Sequence, residues 1–253
     1  MKILMVKLSS YLLVSALLYA PLGWAKTVNV ITYHTHPPFI YEGQGLSYDL
    51  VELLNTLAPE TYDFNLKAMS RPALNKLVAG DSVNLVPWVN PAWFGDELQT
   101  KQLWLDMSLM EDGNEVISSV QQSLDYNGPE SLDGKVFGGL KGHRYQGIDD
   151  RIAELGKTRR VNSNNHLDNF RKLSKGRIDV TLVPRSAALF LIAQEGLSDQ
   201  IYLSPKPHSR YQRLAFVTGP GNDLQHFLNA QLARPEVLAR WLNLRQKYHI
   251  GLR

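Results

Sequence analysis

The stretch "HTHPPF" (His34–Phe39) places two histidines one residue apart, then two prolines and an aromatic ring, directly after the alternating run "VNVITY". Imidazoles ligate metals or exchange protons, so chelation is the first chemistry to weigh. On a strand end, however, His34 and His36 point to opposite faces, which is poor geometry for gripping one ion. His143 and His208 could join them, but the chain has no cysteine and no carboxylate at ligand spacing. The expectation is therefore no metal and no cofactor. Pro37 and Pro38 stiffen a lip, Phe39 fills the hinge side of a cleft, and one histidine, His36, faces a ligand as a hydrogen-bond donor.

A second group of candidates is "PWVNPAW", in which Trp88 and Trp93 flank Asn90. Each tryptophan either packs beneath its loop or offers a stacking face to a planar or cationic group. Trp93, which follows a proline turn, is the stronger candidate. In "GHRY", His143, Arg144 and Tyr145 follow a glycine turn where a helix begins, a place that favours anions. Arg185, after Pro184, and Arg71, in "SRPAL", also sit at helix starts; both read more readily as arginines pointing into water. No acid lies in these loops. Glu42, in "YEGQG", reads as a solvated loop residue, and "GGLKG" lacks the ending of a phosphate-binding loop. The residues point to binding rather than catalysis.

The elements that must position them alternate. "VNVITY", "YDFNLKAM" and "VNLVPWV" read as strands, with "SYDLVELLNTLA" and "RPALNKLVAG" as helices between them. A second round starts near Gly128. There "KVFGGL", "TRRVNS" and "IDVTLV" are strands, and "GIDDRIAELG", "NHLDNFRKLSKG" and "RSAALFLIAQEG" are helices closed by glycine. "LMEDGNEVISSV" and "IYLSPKPHSRYQRLAFVTGP" read as extended crossings between the two rounds, and the tail after Asn222 is helical, reset at Pro235. Two α/β lobes joined by two crossings imply a cleft beyond the carboxyl ends of the strands.

Composition narrows the setting. Residues 1–25 have a basic start at Lys2 and Lys7, a short apolar run and small residues at Gly23 and Ala25, the pattern of a secretory signal peptide cleaved after Ala25. Removing it leaves 25 basic against 24 acidic residues, no electrostatic case for nucleic acid or an anionic membrane. With no cysteine, the exported chain must rest on its own core rather than on disulfides.

In order along the chain, "PPF", "GLSYDLVELLN", "LNKLVAGDSVNLV", "LWLDMSLMEDGNEVI", "SLDGKVFGGLKGHRY" and "FRKLSKGRIDVTLV" resemble the extracytoplasmic solute-binding proteins of family 3, the polar amino-acid-type periplasmic binding proteins. The resemblance spans essentially the whole mature chain. It implies a type II periplasmic-binding-protein fold, with one lobe from residues 26–113 and 211–253 and the other from 114–210. It also implies a monomer that hands a small polar solute to an inner-membrane ABC permease, or presents it to a membrane sensor. A dehydratase on the same fold is a further alternative.

The departures from the family are specific. Amino-acid binders resembling this chain carry an arginine for the ligand carboxylate after the third strand, and Trp93 stands there. They carry an aspartate for the amino group five residues after the aspartate of "GRID", and Pro184 stands there. The expected ligand is therefore anionic or aromatic and relies little on an amino group. Its contacts are expected from Trp93, Arg144, Trp88, Asn90, His36, Phe39, His143, Tyr145 and Arg185.

Overall fold

The computed structural model describes residues 25–251; apart from Ala25, the expected signal peptide lies outside the described residues. The first lobe begins with β1 (Lys26–Thr32), α1 (Leu46–Asn55), β2 (Tyr62–Ala68), α2 (Arg71–Val78) and β3 (Asn84–Val89). Helix α1 forms because Leu46, Leu50, Leu53 and Leu54 recur at helical spacing and bury together. Helix α2 starts where the Ser70 side chain accepts from the Ala73 amide, with Pro72 inside the first turn. All six residues of β3 are buried, as expected of a strand covered on both faces.

A two-residue strand, β4 (Leu103–Trp104), leads to the long β5 (Met110–Ser119). The second lobe follows as β6 (Val136–Leu140), α3 (Ile148–Leu155), β7 (Arg159–Ser163), α4 (His166–Ser174), β8 (Val180–Pro184) and α5 (Arg185–Gln194). The Asn165 side chain caps α4 by accepting from the Asp168 amide at 2.8 Å. After β9 (Ile201–Leu203), β10 (Ser209–Val217) returns to the first lobe, which α6 (Asn222–Leu232) and α7 (Pro235–Lys247) complete.

The strands run in the order β2-β1-β3-β10-β5-β8-β6-β7, with β4 on β10 and β9 on β5. Pairing is parallel for β1 with β2 and β3, and for β6 with β7 and β8, as crossover helices require. The crossings β5 and β10 are antiparallel to their neighbours. Residues Ser209–Arg213 of β10 pair with β5, and Leu214–Val217 pair with β3, so one strand changes partner between the lobes. Gly113 lets the crossings close: a Cβ there would meet the Ser209 carbonyl oxygen at 2.4 Å. In the first lobe Trp88 stacks on Trp241 of α7, ring centroids 5.8 Å apart, beneath the end of β3.

Candidate functional site

A cavity of about 1130 Å³ opens between the lobes, walled by the loops after β1, β3, β6 and β7 and floored by β10. Its volume suits a small organic solute. Trp93 is held on this wall by a short 3₁₀ turn, Pro91–Phe94, whose cap Asn90 accepts from the Ala92 amide at 3.0 Å. Asn90 also donates to the Gln212 carbonyl at 3.0 Å, tying the turn to β10. Arg71 donates to the Trp93 carbonyl and, at 3.1 Å, to the Tyr33 hydroxyl. It is absent from the cavity wall and acts by holding the turn.

The floor carries a residue that the sequence reading passed over. Arg213, 1 % exposed on β10, donates through Nε to Asp112 Oδ2 at 2.6 Å and through Nη1 to the Trp88 carbonyl at 2.7 Å. Its guanidinium lies about 5 Å from the ring centres of Phe39, Trp93 and Tyr211. Burial opposes the charge, but the Asp112 carboxylate, with smaller help from Tyr211 and Tyr33, outweighs it and the Arg213 pKa is raised. Asp112 in turn accepts from the amide and hydroxyl of Ser186, at 3.1 and 2.9 Å, which ties the start of α5 to both crossings. To present its carbonyl to Arg213, Trp88 adopts φ +69°, a left-handed conformation costly for a bulky side chain.

The wall is rich in imidazole: His34, His36, His143, His166 and His208 all line it. His36 and His166 come from opposite lobes, and their rings meet edge-on with centroids 5.9 Å apart. Burial lowers the His36 pKa to about 4 and that of His166 to about 3, and holds His34 well below its usual value. All three are neutral near pH 7. Burial also raises the pKa of Tyr33 and Tyr211. Among the described residues, no group of three or more His, Cys, Asp or Glu is placed to hold a metal ion.

Of the residues expected to meet a ligand, Trp93, Asn90, His36, His143, Arg144 and Tyr145 line the cavity. Arg144 stands at its rim, 77 % exposed and 2.7 Å from Asp150. The Tyr145 hydroxyl accepts from the Leu140 amide, so its ring serves as wall. Trp88 and Phe39 do not line the cavity. Both are fully buried beneath it, Trp88 donating to the Ser47 hydroxyl at 2.9 Å and Phe39 packed under His34, His36 and Arg213. Arg185 lies elsewhere, on a separate cavity of about 950 Å³, where it and Arg210 share the carboxylate of Glu115 at 2.9 Å. Pro184, like Trp93, lines the interlobe cavity, so the two positions where this chain departs from the amino-acid clamp share one space.

The architecture is the type II periplasmic-binding-protein fold: two α/β lobes, two crossings and an interlobe cleft. Solved structures of that fold superpose over most of the chain. A probable amino-acid ABC transporter extracellular-binding protein from Bacillus subtilis gives TM-score 0.65 at 16% identity, covering 88% of this chain and 97% of that one. An ancestral arginine-binding protein bound to arginine gives 0.63 at 17%, covering 89% and 99%. The GluR0 ligand-binding core from Nostoc punctiforme, in complex with L-glutamate, gives 0.63 at 15%, covering 87% and 98%. No protein-family model and no curated protein matches the chain.

Proposed function

We propose that this protein is an extracytoplasmic solute-binding protein that captures a small anionic, ring-bearing solute between its lobes and delivers it to a membrane permease. The observation that carries the reading is the interlobe cavity itself. Its planar walls are Trp93, Tyr33 and Tyr211, its basic residues are Arg213, Arg144 and Arg210, and its single acid among the described residues is Glu195. A cationic or zwitterionic ligand would find only Glu195, exposed at one side, for its ammonium group.

A thermal-shift screen of residues 26–253 against amino acids, dicarboxylates, aromatic acids, opines and polyamines tests this. A ligand at 100-fold its dissociation constant adds about 2.7 kcal/mol, a rise of roughly 5–11 °C for a chain of this size. Aromatic acids should give that rise, and Trp93→Ala should remove most of it while the ligand-free protein melts within a few degrees of wild type. Tight binding of arginine or lysine that is indifferent to Trp93→Ala overturns the reading.

A further inference from the structure

Five of the chain's seven histidines line one cavity, and their hydrogen bonds show which nitrogens are bare. The Nδ1 of His36 is 2.8 Å from the Pro37 carbonyl. A carbonyl only accepts, so this nitrogen carries the proton and Nε2 keeps a lone pair. His208 donates through Nε2 to the Gln146 carbonyl at 3.0 Å, leaving Nδ1 buried and without a partner. His166, first residue of α4 and 8 % exposed, also has a buried Nδ1 with no partner. His34 is taken, its Nε2 lying 3.4 Å from Arg213 Nη1. His36 from one lobe and His166 from the other thus meet at the cavity wall, each with a ring nitrogen that has no protein partner, that of His166 being buried.

We propose that His36 and His166, flanked by His143, form the subsite for the ligand's carboxylate, and that the anion enters together with one proton from solvent. The proposal rests on the anionic reading of the cavity. Two neutral imidazoles turning lone pairs toward a carboxylate repel it. One proton converts such a ring into a charged donor, and the bound anion then touches both lobes at once. Burial and the neighbouring cations and imidazoles keep His36 and His166 neutral near pH 7. His36 faces Arg213 from β10, His143 from the loop after β6 and His166 from α4, while the one acid acting on it, Asp112 of β5, is committed to Arg213. His166 faces His36 and His143 and no acid. An anion within hydrogen-bonding reach raises such a pKa by about 1–3 units, which brings the proton into range between about pH 5 and 7.

The test is calorimetric titration of wild-type protein with benzoate, phenylacetate and indoleacetate from pH 7.5 to 5.5, in buffers of differing ionisation enthalpy. The probes stay ionised over that range. Binding should tighten on acidification, by up to about tenfold per pH unit for one proton, with a buffer-dependent heat reporting proton uptake. His36→Gln and His166→Gln should each flatten the slope; the wild-type buffer dependence decides the matter even if a variant fails to fold. Carboxylate binding with no pH slope and no buffer-dependent heat overturns the proton-coupled subsite and leaves the anionic reading standing. Weakening in acid overturns it too, because the bare lone pairs would then be meeting a donor on the ligand. Failure of all three carboxylates to bind at any pH overturns both readings.

Discussion

Asp112→Asn keeps the shape of the side chain and an oxygen for the Ser186 and Gly113 amides, but it strands the buried guanidinium of Arg213. Arg213→Met strands the carboxylate instead and removes the cation from the Phe39, Trp93 and Tyr211 rings. Breaking a buried pair from one side costs about 3–5 kcal/mol, because an uncompensated charge stays behind. At roughly 2–4 °C per kcal/mol for a chain of this size, each single variant should melt about 6–20 °C below wild type. The double variant removes both charges and should lose far less than the sum, a coupling of about 2 kcal/mol or more. Urea melts on the four proteins measure the cycle. Additivity within about 0.5 kcal/mol would mean that the two ions do not act as a pair, and the account of the cavity floor would fail.

Gly113→Ala places a methyl 2.4 Å from the Ser209 carbonyl oxygen. It should force the crossings apart at a cost of about 1–3 kcal/mol, read as a lower melting temperature with faster amide exchange along the β5–β10 pairing. The ligand-free protein should also lose stability in mild acid. His36 has its pKa lowered to about 4, so the unfolded chain binds more protons between pH 6.5 and that value. This contribution is whole above about pH 6.5 and is lost as pH falls toward 4, with an upper bound of roughly 3 kcal/mol. The true loss is smaller, because His36 keeps part of its ring open to the cavity. Urea midpoints against pH, flatter in His36→Gln, check the sign.

The strands and helices were legible because apolar periodicity, glycine stops and proline starts agree along the chain. Strand β1 and helices α1, α4 and α7 follow from those signals within a few residues. The strand-end rule reached part of the cavity wall, but it also named Phe39 and Trp88, which are buried beneath it, and Arg185, which lies on another cavity. His166 lies at the end of β7, where "SNNHLDNF" shows a histidine opening a helix, a signal no stronger in sequence than an ordinary helix start. Arg213 had a fainter signal, a lone cation on the same strand face as Tyr211 at the edge of the apolar run "LAFV". What marks it as central is a partner 101 residues away, and no local pattern carries that. Trp88 and Trp93 look alike in sequence. They part company because one lies in a strand buried along its whole length and the other on the turn that ends it.

The change of partner along β10 governs the order in which the molecule can be assembled. Strand β3 has β1 on one side, and its other edge is covered only when residues 214–217 arrive. The pairings of β5 with β8 and β9, and of β6 with β7 and β8, need nothing later than β9, so they can form while the two ends of the chain still wait for each other. Until then the apolar β3 and the long β5 each present an unpaired strand edge, an invitation to mispairing. A chain released from the ribosome before Ser209 keeps both edges permanently. Such a fragment should aggregate or be degraded rather than close the interlobe cavity.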